Sequence, residues 1–309
     1  MSRRRQPYVR STRPANIRLT ERDRRILETL HAFDGMMSLK QIDRLFFSGQ
    51  GRSQPRQRMR TLFANRYVQM PSERTIHRVP LGETIYWLDR RGAEVVAARQ
   101  GITLGELSWR RKPRWSWIEH DLAVNDFRLY IRQACTESEQ VELQPWVPET
   151  DFLANPDTVR FKDENNVAHT RQVRPDGFFY VTRERENRET QEGFAFMLEI
   201  DMATHSNPSF ERNKVRAGLA YLKSEDYERR FGLRFGRWLV VTTTEIRMEH
   251  LLTQTKRAGG KGLFYFTTFD VLDQVAKRSR TGILHEPVWQ VAGSRSLTPL
   301  IPDATVEAG

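Results

Sequence analysis

Three acidic residues in the second half of the chain have the types and spacing for metal-assisted chemistry. Asp176 stands in Arg-Pro-Asp-Gly, 174–177, and Glu199 and Asp201 stand in Leu-Glu-Ile-Asp, 198–201. Each string adjoins a run of strand-forming residues, VRPDGFFYV at 173–181 and FAFMLEI at 194–200. Strand side chains alternate between faces, so Glu199 and Asp201 share one face. Carboxylates converging from adjacent strands can hold Mg²⁺ or Mn²⁺, which take oxygen ligands. The expected metal ligands are Asp176, Glu199 and Asp201. A metal so held orients a water, polarises a scissile phosphate and stabilises the leaving oxygen. Glu119, early in a helix spanning about 116–134, offers a further carboxylate.

The elements around these residues read as a mixed α/β domain over 111–292. The helix at 116–134 is followed by strands at 141–147, 173–181 and 194–200, with a polar loop or hairpin over 151–170. A helix over 208–229, a strand at 237–242, a helix at 245–256, a strand at 263–267, a helix at 270–277 and a last strand at 287–289 complete it. The tail, 293–309, reads as disordered. No glycine-rich phosphate loop and no Gly-Lys-Ser/Thr occurs, so an ATPase or dehydrogenase has no support.

The front of the chain reads differently. Residues 1–18 form an arginine-rich arm without acidic residues, suited to a phosphate backbone or a minor groove. Its blander reading is a solubilising tail. Over 19–110, Thr20 and Ser38 cap two helices with inward Ile26, Leu27, Leu30 and Phe33, then Leu39, Ile42, Leu45 and Phe46. A third helix starts near Pro55, with Met59, Leu62 and Phe63 inward. A hairpin follows, with strands near 67–70 and 84–88 and a tip carrying His77 and Arg78. Asp89 then caps a last helix. Three helices, a hairpin and a helix is the order of a winged helix-turn-helix. Its third helix suits the major groove of double-stranded DNA. Arg56, Gln57 and Arg60 are the expected base readers, Arg52 and Ser53 lie near phosphate, and Arg78 lies on the wing. A shift of helix phase makes Gln54 and Arg58 the readers instead. A winged helix used for protein contact is the alternative.

Charge follows the same division. The whole chain carries 50 basic and 39 acidic residues, a net of +11. Residues 1–114 hold 25 basic and 10 acidic residues, and the remainder hold 25 and 29. The surplus therefore belongs to the part expected to bind DNA. One cysteine, Cys135, excludes an intrachain disulfide framework and a cysteine zinc cluster. No apolar run reaches membrane-spanning length, and no signal-peptide core follows the basic start. A cytoplasmic location, with nucleoid or plasmid association and no membrane partner, is expected. Trp109, Trp115 and Trp117 cluster near the joint. They suit packing between the domains, or stacking on a base.

The second domain resembles the restriction-endonuclease-like fold, the Pro-Asp…(Asp/Glu)-x-Lys nuclease superfamily, at Pro175-Asp176 and Glu199-x-Asp201. The family's lysine position holds Asp201 here. Some members take that lysine from the following helix, and the resemblance makes Lys214 the substitute. It implies Asp176, Glu199, Lys214 and Glu119 as catalytic residues. Residues 20–275 also resemble the replication-relaxation family of bacterial plasmids and other mobile elements. The matching strings include LTERDRRILETL (19–30), YWLDRRG (86–92), EHDLAVNDF (119–127), LEIDMATHS (198–206), KVRAGLAYL (214–222) and VVTTTEIRMEHLL (240–252). The resemblance implies a DNA-handling protein in replication or transfer, with replication or transfer machinery as a partner. Winged helices often dimerise on palindromic sites, which is compatible with a homodimer, although no dimer element is readable. Three functions are compatible: Mg²⁺-dependent nicking or cleavage, a non-enzymatic initiator or regulator whose nuclease-like domain is inactive, and an RNA-acting or toxin-like protein. His205, just after the acidic strand, reads as a structural or exposed histidine.

Overall fold

The first helix begins where the sequence provides its cap. In the computed structural model, which describes residues 10, 17–47, 53–184, 191–203 and 210–302, α1 spans Glu21–Ala32. The Thr20 hydroxyl accepts the Asp23 N–H, and Asp23 accepts the Thr20 N–H at 2.6 Å, a closed capping box. Ile26, Leu27 and Leu30 are fully buried on its inner face. A short strand, β1, Met36–Ser38, then pairs in the sheet, and Ser38 caps α2, Leu39–Phe46, through a second capping box with Gln41. The helix α3 spans Ser53–Ala64 and buries Pro55, Met59, Leu62 and Phe63. Strands β2, Val68–Gln69, and β3, Ile85–Leu88, follow, and α4, Arg90–Arg99, starts behind Asp89. The three strands form an antiparallel sheet in the order β1-β3-β2. Between β2 and β3 lie a 3₁₀ turn, Ile76–Arg78, and the exposed Leu81.

The chain divides into two compact units, Met1–Phe127 and Arg128–Gly309. The division lies inside α5, Ile118–Glu137, beyond the joint expected near 110. The early part of α5 belongs to the first unit for a physical reason. The Asn125 side chain donates to Met36 O at 2.7 Å, and that of Gln41 donates to Leu122 O at 2.9 Å. Trp115 packs edge-on against Trp87 in the same unit, with ring centroids 5.9 Å apart.

The second unit is built on a mixed sheet. Its strands are β4 (Val141–Leu143), β5 (Val147–Pro148), β8 (Gly177–Glu184), β9 (Gln191–Asp201), β10 (Arg237–Thr242), β11 (Phe264–Thr268), β12 (Trp289–Val291) and β13 (Leu297–Thr298). The order is β13-β12-β11-β10-β9-β8-β4, and β5 also pairs with β8. The strands β9, β10 and β11 run parallel, and the other pairings are antiparallel. The polar insert contains a short helix, α6, Glu149–Ala154, and a separate hairpin of β6, Asp157–Lys162, and β7, Ala168–Val173. After β9, a π-helical turn, Glu211–Arg216, runs into α7, Ala217–Leu222. One face of the sheet, including Met197 and Val240, packs against Val215, Ala217 and Tyr221 from this layer.

Some expectations need correction. The helix expected over 208–229 breaks after Leu222, because Ser224 caps a new helix, α8, Glu225–Phe231, by accepting the Tyr227 N–H. Gly232, at φ +67°, ends it in the left-handed conformation that suits glycine. The tail expected to be disordered from 293 instead continues through β13, and Leu300 and Ile301 are fully buried. The remaining helices of this unit are α9, Glu245–Arg257, α10, Phe269–Arg278, and α11, Gly282–His285. Arg52, His205, most of the arm and residues 303–309 lie outside the described residues. Across both units the architecture is mixed α/β. Among the described residues, no helix is long and apolar enough to cross a membrane.

Candidate functional site

Asp176 sits immediately before β8 and is stitched to the neighbouring strand. Its N–H donates to Leu198 O at 2.9 Å, and its Oδ2 accepts the Ile200 N–H at 2.6 Å. These two bonds straddle Glu199, so the two carboxylates are held beside each other along β9. Both residues are buried. Glu199 lies on the sheet face covered by the π-helical turn, because it stands two residues from Met197, which packs there. Lys214, from that turn, reaches it: Nζ donates to Glu199 Oε2 at 2.7 Å and to Arg174 O at 3.3 Å. π-helical turns are uncommon and occur often at functional sites.

The lysine is poised as a cation. Burial opposes its charge, but the Glu199, Asp176 and Glu149 carboxylates outweigh that cost and raise its pKa above the ordinary value. Glu149, at the start of α6, is an acidic neighbour that the motif strings did not indicate. Glu119 lies exposed at the start of α5 in the first unit.

Asp201 shares the strand face with Glu199 but has different company. Its Oδ2 accepts from Arg247 Nε at 2.8 Å and from Thr242 Oγ1 at 2.9 Å, and its Oδ1 accepts from Arg247 at 3.0 Å. Thr242 stands opposite Asp201 in the β9–β10 register. Arg247 is placed by the cap of α9, where its N–H donates to Thr244 Oγ1 at 3.2 Å. The expected third metal ligand is therefore engaged in a forked ion pair. Among the described residues, no group of three or more His, Cys, Asp or Glu is placed to hold a metal ion. Asp176 and Glu199 remain as two carboxylates, a donor set that Mg²⁺ accepts when waters complete its shell.

Gly177 explains the tight start of β8. A Cβ there would stand 2.3 Å from the Trp146 ring, which stacks on Phe179 at a centroid distance of 5.5 Å. Only glycine admits the indole against the strand, and the indole in turn backs the segment carrying Asp176. Cys135 is buried, and burial pushes its thiol up to about 12, which makes it a poor nucleophile.

In the first unit, α3 separates its arginines by helical phase. Ser53, Gln54, Arg56, Gln57 and Arg60 are exposed. Arg58 turns inward instead and pairs through Nε with Asp23 Oδ1 at 2.7 Å. Asp23 is fully buried, so Arg58 is a structural partner of α1. Arg78 and His77 are exposed on the 3₁₀ turn.

The Replication-relaxation family model matches residues 27–233. The chain belongs to the replication-relaxation family. The match includes α3, Asp176, Glu199 and Lys214, and it ends before Arg247. The family name attaches the protein to replication in general terms. No curated protein and no solved structure matches the chain.

Proposed function

We propose that this is a double-stranded-DNA-binding protein of a plasmid or other mobile element, acting in replication or transfer and cutting or nicking DNA with Mg²⁺ or Mn²⁺. In this reading the first unit is a winged helix-turn-helix, with Arg56, Gln57 and Arg60 at base edges, Arg52 and Ser53 near phosphate and Arg78 on the wing. The second unit is a restriction-endonuclease-like domain. The observation that carries the reading is Lys214 on Glu199, beside Asp176. The lysine comes from the following helix, and the strand position that carries lysine in that superfamily holds Asp201.

Asp176 and Glu199 would hold the metal, and a bound metal supplies polarisation of the scissile phosphate. Lys214 presents a fixed positive charge to the phosphoryl oxygens as charge develops on them. Glu199 keeps that ammonium aimed at the site. The Asp201–Arg247 pair braces the end of β9 and takes no part in the chemistry.

The engagement of Asp201 favours a second reading, a non-enzymatic initiator or regulator whose second unit binds DNA or a partner. Incubating the full chain with supercoiled plasmid separates the two. Nicking or linearisation that requires Mg²⁺ or Mn²⁺ supports the nuclease. Intact plasmid with either metal supports the non-enzymatic protein.

A further inference from the structure

Beside the carboxylates, the second unit has a pocket of about 340 Å³ whose lining, Lys214 apart, takes no part in the chemistry above. Its volume lies within the range of small-ligand sites, about 300–1,000 Å³. Arg171, Arg174 and Lys214 line it, and no carboxylate residue does. Neither Arg171 nor Arg174 has a carboxylate partner among the described residues. Arg171 donates to Asn213 Oδ1 at 3.2 Å and to Thr170 O at 2.9 Å, and Arg174 bonds Gln172. Arg171 and Arg174, two cations without a carboxylate partner, stand beside Lys214, which Glu199 already pairs, and together they make a local field that favours an anion.

A neutral donor adds to the cations. Trp238 lines the same pocket and is 2% exposed, yet its indole Nε1 has no hydrogen-bond partner among the described residues. Buried donors are almost always paired in folded proteins, so this one lacks an acceptor. The indole edge lies against Gly218, where a Cβ would come within 2.8 Å of Nε1. The hairpin whose second strand carries Arg171 is anchored away from the pocket. The Tyr221 hydroxyl donates to Asp157 Oδ2 at 2.5 Å and Arg230 Nε does so at 2.6 Å, tying the β6–β7 hairpin to α7 and α8.

We propose that this pocket binds a phosphate group of a nucleic-acid strand, next to the phosphodiester presented to Asp176 and Glu199. The two places are continuous through Lys214, which touches both Glu199 and the backbone of Arg174. Guanidinium groups suit the ligand because their planar forks match phosphate oxygens. The inference rests on the nuclease reading for the identity of the ligand, a strand and not a free nucleotide.

The test is a titration of the full chain, with indole nitrogens ¹⁵N-labelled and metal chelated. The probes are inorganic phosphate, thymidine 5′-monophosphate and a short oligothymidylate, and the Trp238 indole resonance is identified through Trp238→Phe. A saturable shift of that resonance is expected, with the oligonucleotide binding at least tenfold tighter than the mononucleotide. The R171Q/R174Q variant should weaken binding at least tenfold, and R171K/R174K should restore most of it. No shift with any probe, or an unchanged titration in R171Q/R174Q, overturns the pocket. Equal affinity for mononucleotide and oligonucleotide overturns the strand assignment. A shift that persists in a protein unable to cut plasmid removes the nuclease reading alone. Cleavage without the shift removes this inference alone.

Discussion

Lys214 Nζ lies 2.7 Å from Glu199 Oε2, although the two residues come from different elements, a π-helical turn and the strand before it. The lysine side chain is 26% exposed and the glutamate side chain 5%. The lysine side chain is therefore partly open while the carboxylate is held inside. That asymmetry suits a group that meets a substrate phosphate. Lys214→Met should lower metal-dependent cleavage by roughly a hundredfold or more while duplex binding is retained. Single-turnover cleavage and a gel-shift titration on the same preparation check it. Equal cleavage by the variant would remove Lys214 from the chemistry.

The Asp201–Arg247 pair predicts a different outcome. Both side chains are largely enclosed, 1% and 13% exposed. Removing one partner of such a pair leaves a buried charge, at a cost of about 3 kcal/mol or more. Arg247→Met should lower the urea midpoint and the melting temperature. Residual cleavage, normalised to folded protein, should stay close to wild type.

On α3 the arginines should separate by role. Arg56→Ala and Arg60→Ala should weaken duplex binding and reduce its salt slope by about 1 for each phosphate no longer neutralised. Arg58→Ala should instead destabilise the protein, because buried Asp23 loses its partner. Binding at several salt concentrations, set beside denaturant unfolding, distinguishes them.

The same ion pair gives a pH dependence. Burial opposes ionisation of Asp23, but hydrogen bonds from Arg58 and Thr20 and the Arg58 charge hold its pKa below the usual 3.8. A depressed carboxylate contributes stability that is fully present above its unfolded value. That contribution is lost as pH falls through the folded value. Unfolding free energy of wild type should therefore drop between about pH 5 and pH 2. Asp23→Asn should be less stable at neutral pH and show a shallower acid drop.

Much of the framework was legible because it is local. Thr20, Ser38 and Asp89 announce their helices as caps, and the strand of residues 237–242 reads directly as RWLVVT. Asp176 and Glu199 were legible because each sits at a strand end in a short string. What escaped depends on residues distant in sequence. The strand Met36–Ser38 has no periodicity of its own and forms by pairing with Ile85–Trp87. The company of Asp201 is set by Thr242 and Arg247, which arrive from the next strand and helix. Glu149 is a lone glutamate with no signature. The helix at 245–256 was readable from the sequence, but not the direction of the Arg247 side chain.

The most direct measurement compares wild type with Asp176→Ala on the same DNA. Both should bind duplex DNA with equal affinity, and only wild type should nick or cut plasmid when Mg²⁺ or Mn²⁺ is added. Cleavage by Asp176→Ala at the wild-type rate, or no cleavage by wild type with either metal, would contradict a DNA-cutting site at Asp176, Glu199 and Lys214.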